Sequence, residues 1–166
     1  IISRALDVGA NGIIVPHTNT KTDAEQAFRA AKYYPIGTRG TSASRSTYGM
    51  DLEEYYTKAN DQVVVIGMLE ELEAIRNLEE LVTVDGMDVF LIGPGDLAQT
   101  MGLPGQMDHP KVREVVDSAI KQITDAGRVA GTTAQINNIE ELYEKGVRFF
   151  LTNWGAWLSR GAREYL

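Results

Sequence analysis

Between Val63 and Leu97 the chain sets out two short apolar runs, each ending on a carboxylate, with a helical pattern between them. The first, Val63-Val64-Val65-Ile66-Gly67-Met68-Leu69, delivers Glu70. The second, Val89-Phe90-Leu91-Ile92, opens into Gly93-Pro94-Gly95-Asp96-Leu97. Uncharged runs this short and this rich in β-branched residues read as strands buried on both faces, which belong to a parallel sheet or barrel. A right-handed βαβ connection sets successive strands side by side. Glu70 and Asp96 are therefore expected close together on the carboxyl-end face of the sheet, where α/β enzymes keep their chemistry. Two carboxylates converging there repel each other unless they share a cation, and a hard divalent ion such as Mg²⁺ suits such oxygen ligands. Each acid also has a simpler explanation. Glu70 could open the helix that runs from Glu71 to about Val82, and Asp96 could be the N-cap after a Gly-Pro-Gly turn.

The rest of the chain repeats the same unit. Ile1 to Val8 reads as the last turns of an amphipathic helix capped by Gly9, so the chain is expected to begin in mid-domain. Gly12-Ile13-Ile14-Val15 is a strand closed by Pro16 and the polar turn His17-Thr18-Asn19-Thr20. Thr20 or Thr22 caps a helix whose one face carries Ala24, Ala27, Phe28 and Ala31. From Tyr33 to Met50 no periodicity is visible, and a loop of that length, holding Arg39 and Arg45, is usually functional or disordered. A short helix over Asp51 to Asn60 leads back to Val63. Beyond Leu97, a turn from Met101 to Gly105 precedes a helix opened by Asp108-His109-Pro110, with Val112, Val115, Val116, Ala119, Ile120 and Ile123 along one stripe, ended by Gly127. A strand over Arg128 to Thr133, a helix over Asn138 to Lys145, a last strand over Val147 to Thr152 and a helix-like segment from Trp154 to Leu166 complete the chain. In that last segment Trp157, Leu158 and Tyr165 need covering.

Five strands, each followed by a helix, mean an all-parallel sheet, either doubly wound or a (βα)₈ barrel. No Gly-x-Gly-x-x-Gly follows the first strand and no Walker lysine is present, so the nucleotide-binding versions lack their phosphate cradle. The expected fold is a TIM (βα)₈ barrel in which residues 1–166 form a single domain holding strands 4 to 8, the first three strands preceding Ile1.

Composition narrows the function. With 43% hydrophobic residues the chain can build a real core, and with no cysteine it has neither disulfides nor thiolate metal sites. No signal peptide or apolar run of membrane-spanning length is visible, and a cytoplasmic location is the default. A net charge of −7 with scattered Lys and Arg offers nothing to a phosphate backbone. The expected partner is a small molecule, with no role for nucleic acid or membrane.

Four motifs in order then carry a resemblance. Ala5-Leu6-Asp7-Val8-Gly9-Ala10 running on to Val15-Pro16, Tyr34-Pro35 with Gly37 and Arg39-Gly40, Glu70 seven residues before Asn77, and Gly93-Pro94-Gly95-Asp96-Leu97 together resemble the HpcH/HpaI family of class II pyruvate aldolases. The resemblance spans essentially the whole chain. It implies a (βα)₈ barrel, usually a homo-hexamer, that cleaves or forms 4-hydroxy-2-oxo acids with a divalent cation (Mg²⁺, Mn²⁺ or Co²⁺). It makes Glu70 and Asp96 the metal ligands and gives the backbone N–H groups around Gly95 and Asp96 the carboxylate of the keto acid. A metal chelated by the keto and carboxylate oxygens of pyruvate would stabilise the enolate formed as the carbon–carbon bond breaks, and Gly95 leaves room for close backbone approach.

Three positions depart from the family's pattern. Met68 stands where the family has Gln, Gly131-Thr132-Thr133 replaces Gly-Ile-Leu, and Asn153-Trp154-Gly155 replaces a Gly followed by Asp. The family's base His and enolate-stabilising Arg come from strands that precede Ile1, so the catalytic residues are not assigned within this chain. His17, on the carboxyl-end face, reads as a solvated or loop-tethering residue before it reads as a catalytic one, His109 as a helix-start residue and Arg39 as a loop anchor. Two alternatives to the aldolase stand beside it: an acyl-CoA lyase of the citrate-lyase-β type, and a non-catalytic barrel remnant acting as an interaction protein.

Overall fold

The computed structural model describes residues 1–41 and 44–166. Its centre is a five-stranded, all-parallel sheet in the order β1-β2-β3-β4-β5, with β1 Gly12–Val15, β2 Val64–Leu69, β3 Val89–Ile92, β4 Ala130–Thr133 and β5 Val147–Leu151. Sequence order and spatial order coincide, so every crossover leads to the next strand. β1 and β5 form the two edges. The expected α/β architecture with an all-parallel sheet is present.

Helices α2 Lys21–Ala31, α3 Leu52–Gln62, α4 Leu72–Arg76, α5 Leu78–Leu81, α6 Pro94–Thr100, α7 Pro110–Asp125 and α8 Ile139–Glu144 fill the crossovers, with α1 Ile2–Asp7 before β1 and α9 Trp154–Tyr165 after β5. Local chemistry explains their ends. Thr20 caps α2 in a reciprocal box with Asp23, Asp51 caps α3 through the Glu54 N–H, and the His109 side chain accepts from the Lys111 N–H at the start of α7. Gly9 and Gly127 follow α1 and α7 at φ +105° and +72°, where a side chain would be strained. Among the described residues the aperiodic segment between α2 and α3 holds one turn of 3₁₀ helix, Arg45–Thr47; the expected loop extends over positions 42–43, which lie outside the described residues.

Two expectations need correcting. The single helix from Glu71 to Val82 is two, α4 and α5, separated at Asn77, whose side chain is drawn to the Asn19 carbonyl at 2.9 Å. The turn after β3 is itself helical: α6 starts at Pro94 with Gly93 as N-cap, so Asp96 is a first-turn residue and not the cap. Pro at the first helical position needs no N–H, which is why a Gly-Pro-Gly sequence can open a helix here.

Alternation along the strands sorts the apolar residues onto two faces. Val65 and Leu69 of β2, Phe90 and Ile92 of β3, and Ala130 of β4 pack against the helices with Leu6, Leu78, Leu81, Leu97, Val112, Ala119, Ile120 and Ile123. Ile66, Val89 and Leu91 form a separate cluster on the opposite face, joined by Met68, Phe149 and Leu151. Phe90 and Leu91 are both fully buried, one on each face, each stabilising by about 1.5–3 kcal/mol relative to exposure. The first face is the interior under the helices. The second is the helix-free face, and it leads to the site.

Candidate active site at the carboxyl ends of the strands

Glu70 continues the alternation Ile66, Met68, Glu70 past the end of β2, so it emerges on the helix-free face. Register carries it to β3: Ile66 pairs with Val89, Met68 with Leu91 and Leu69 with Ile92, which sets Glu70 beside Gly93. The Gly93 N–H donates to the Leu69 carbonyl at 3.0 Å and extends the pairing to that point. A Cβ placed on Gly93 would stand 3.0 Å from both Glu70 Cβ and Met68 Cε, and 3.5 Å from Glu70 Oε2. A side chain at Gly93 would crowd Glu70 and the end of Met68, which would have to give by a few tenths of an ångström. Met68, where a polar group was expected of the family, puts its methyl against the same glycine.

Glu70 is 4% exposed, yet no Lys or Arg of the described residues pairs with it. Its Oε1 accepts the His17 backbone N–H at 2.9 Å, with the His17 ring Nδ1 at 3.4 Å. Among the described residues no hydrogen bond reaches Oε2. Burial of a carboxylate served by one neutral donor is costly unless a cation completes it. Asp96, three residues beyond Gly93, is exposed in the first turn of α6, and a Cβ added at Gly95 would meet nothing within 4 Å. The first-turn N–H groups of Gly95 and Asp96 have no partner within the helix. The two predicted ligands therefore belong to one end of adjacent parallel strands, as expected, but differ in character: one buried and braced, one open to solvent.

These features fit a divalent cation held by two protein carboxylates. Among the described residues no group of three or more His, Cys, Asp or Glu forms a closed metal site. An ion such as Mg²⁺ is commonly bound through one or two carboxylates, keeping waters or substrate oxygens in its other positions.

Residues 1–155 match HpcH/HpaI aldolase/citrate lyase. The chain belongs to this family. It is 36% identical over 151 residues to a 4-hydroxy-2-oxo-heptane-1,7-dioate aldolase of Shigella sonnei, covering 89% of this chain and 58% of that protein. It is 36% identical over 136 residues to a 2-keto-3-deoxy-L-rhamnonate aldolase of Klebsiella pneumoniae, covering 81% and 51% respectively. The chain thus spans about half the length of the curated relatives it matches. A crystal structure of an HpcH/HpaI aldolase/citrate lyase family protein from Burkholderia cenocepacia superposes with a TM-score of 0.91 at 29% identity, covering 99% of this chain and 66% of that one.

Other residues singled out from sequence fall away from chemistry. His109 is the N-cap of α7, and Arg39 is a buried anchor whose guanidinium meets Asp7 at 2.8 Å and lies 4.6 Å from the centre of the Tyr33 ring. What sequence reading missed is the turn after β1, where His17, Asn19 and Glu71 gather around Glu70. The available signals were a polar His-Thr-Asn-Thr run at a strand end and the fixed interval between Glu70 and Asn77.

Proposed function

We propose that the chain is the carboxyl-terminal part, strands 4 to 8, of a (βα)₈-barrel aldolase that cleaves or forms 4-hydroxy-2-oxo acids through a pyruvate enolate. The observation that carries this reading is the buried Glu70 carboxylate at the β2 end, lying against Gly93 of the β3–α6 turn in a chain of this family. Glu70 Oε2 and the Asp96 carboxylate are the protein ligands of a divalent cation, Mg²⁺, Mn²⁺ or Co²⁺. When bound, that cation supplies a Lewis acid for the carbonyl of the keto acid and for the negative charge that develops on it. The open N–H groups of Gly95 and Asp96 receive the substrate carboxylate, and Gly95 leaves space for it. Ile66, Met68, Leu91, Phe149 and Leu151 line the helix-free face below and keep it apolar.

Cleavage also needs a base for the proton of the 4-hydroxyl, worth about 10²–10⁴ in rate. This reading gives His17, whose Nδ1 meets Glu71 at 2.8 Å, the part of a loop tether and not of the base. In this reading the base and an anion-stabilising Arg belong to the earlier barrel units. Calorimetry on the 166-residue chain is expected to detect Mn²⁺-dependent binding of pyruvate or oxalate, while a coupled assay shows little pyruvate release from 4-hydroxy-2-oxo acids. Robust cleavage that His17→Ala abolishes would overturn the assignment. Cleavage of an acyl-CoA thioester without any keto-acid binding would favour the lyase alternative, and no ligand binding at all the non-catalytic one.

The same reading makes the native assembly a homo-oligomer. Trp154, Trp157 and Leu158 of α9 are 71%, 59% and 65% exposed, and the β1 and β5 edges carry unpaired backbone groups. Light scattering is expected to show association of the 166-residue chain; a stable monomer would count against missing barrel units.

A further inference from the structure

The turn that follows β1 has an unusual backbone. His17 sits at φ +52°, a left-handed conformation uncommon outside Gly that His, Asn and Asp adopt more readily than other residues and that β-branched residues resist. Such a residue persists when its surroundings over-determine it, and strain of this kind clusters at functional sites. Here the surroundings can be named. The Thr18 N–H donates to the Met68 carbonyl at 3.1 Å, and the Thr18 hydroxyl donates to the Val15 carbonyl at 2.9 Å. The His17 ring holds one Glu71 oxygen at 2.8 Å, and the Asn19 amide donates to the other at 2.9 Å. The Asn77 amide donates to the Asn19 carbonyl at 2.9 Å, which ties the turn to the break between α4 and α5. The product of all these contacts is a single N–H, that of His17, delivered to Glu70 Oε1 at 2.9 Å.

We propose that the His17–Asn19 turn is the positioning element for Glu70: it occupies Oε1 with the His17 N–H and leaves Oε2, on the Gly93 side, as the one oxygen offered to a divalent cation. The proposal rests on reading Glu70 as a metal ligand. Left free, a glutamate at a strand end would sample several rotamers and both oxygens. Fixing one oxygen to a backbone donor removes that freedom and turns the other toward β3, the strand that delivers Asp96. Because the donor is main chain, its direction depends on the backbone conformation at residue 17 more than on the imidazole. The ring and Asn19 act through Glu71 to hold the turn. This is the arrangement by which groups behind a metal ligand commonly contribute 10–100-fold to affinity.

Titration of the 166-residue chain with Mn²⁺, read by the electron paramagnetic resonance signal of the free ion, tests this without any turnover. Glu70→Gln is expected to weaken Mn²⁺ binding by more than about 100-fold. His17→Asn, which tolerates positive φ and keeps the N–H, is expected to stay within about 3-fold of the parent. His17→Val, a β-branched residue that resists positive φ, is expected to weaken binding by about 10–100-fold while circular dichroism still shows the fold. Should His17→Val fail to fold, Asn19→Ala decides: it removes one tether without altering charge, and a loss of about 3-fold or more is expected. Parent-like Mn²⁺ affinity in folded His17→Val, or in Asn19→Ala where that variant must decide, would overturn the positioning role while Glu70→Gln still abolished binding. Unchanged affinity in Glu70→Gln would instead overturn the ligand assignment beneath it, and the proposal with it.

Discussion

The two ends of the sheet treat buried charge in opposite ways. At the amino-terminal end the buried Lys32 and Arg39 are answered by protein, as are the half-buried Arg128 and the exposed Asp88. Lys32 donates to the Asn60 and Val63 carbonyls at 2.6 and 2.5 Å, Asp88 receives the Val65 N–H at 2.7 Å, Arg128 donates to the Val84 and Met87 carbonyls, and Arg39 pairs with Asp7. These groups satisfy the orphan carbonyls and N–H groups where loops enter the strands. At the carboxyl-terminal end, Glu70 is buried with one backbone donor, while Asp96 and Gly95 face open space. One end is closed on itself and the other is left with valence to spare. In parallel α/β folds the first pattern stabilises and the second binds.

Substitutions at the two ends should therefore separate stability from ligand affinity. The largest effect is expected from Asp7→Ala, which leaves the Arg39 guanidinium, 1% exposed, without its carboxylate. Breaking a buried pair from one side costs about 3–5 kcal/mol, so the urea midpoint should fall steeply, while molecules still folded keep their Mn²⁺ affinity. Equal loss of affinity would erase the distinction between the ends. Glu70→Gln should do the reverse. Its expected affinity loss of more than about 100-fold corresponds to about 2.7 kcal/mol, yet the thermal midpoint should hold or rise, since a buried charge without a cation is replaced by a neutral amide.

Lys32 sharpens the comparison through pH. Its burial holds the ammonium below its usual range, against the opposing pull of Asp88 and then Asp61. The folded state thus binds this proton less tightly than the unfolded state does. Below the folded pKa both states are charged and the fold bears the whole desolvation cost; as pH rises from there toward 10.5 the cost is relieved. Urea unfolding followed across the alkaline range should show the parent gaining stability relative to Lys32→Met, and parallel curves would contradict the burial. The smallest effect is expected at Lys145 on the α8 surface, whose pKa is raised chiefly by its hydrogen bond to Asp117. A raised pKa stabilises below 10.5 and is lost as pH climbs through the higher folded value. Because the pair is solvent-exposed, Lys145→Ala should cost no more than about 1 kcal/mol, shrinking with added salt.

Much of this architecture was legible in the residues. Buried strands announced themselves as uncharged β-branched runs, and their alternation with helical stripes required parallel pairing, because each crossover had to cover the sheet. The α7 stripe was read almost residue by residue: Val112, Val116, Ala119, Ile120 and Ile123 are buried, with Val115 packed beside them. Helix breaks were less visible. Nothing local distinguishes Glu71 to Val82 from one continuous helix, since the interruption at Asn77 answers a carbonyl 58 residues away. The helix after Gly93 was hidden by its own Gly-Pro-Gly signal, which marks turns as readily as helix starts.

By itself, then, the sequence determined that Glu70 and Asp96 leave neighbouring parallel strands at the same end, because strand period, crossover handedness and chain order are local or topological properties. Only the tertiary structure decided what each carboxylate experiences there. Burial of Glu70 and the Gly93 gap that admits it join the ends of two strands, and the contacts of His17 and Asn19 with Glu70 and Glu71, which hold the turn at its positive φ, join residues more than fifty positions apart. No local propensity encodes them; they exist because packing β1, β2 and β3 side by side brings three strand ends to one place.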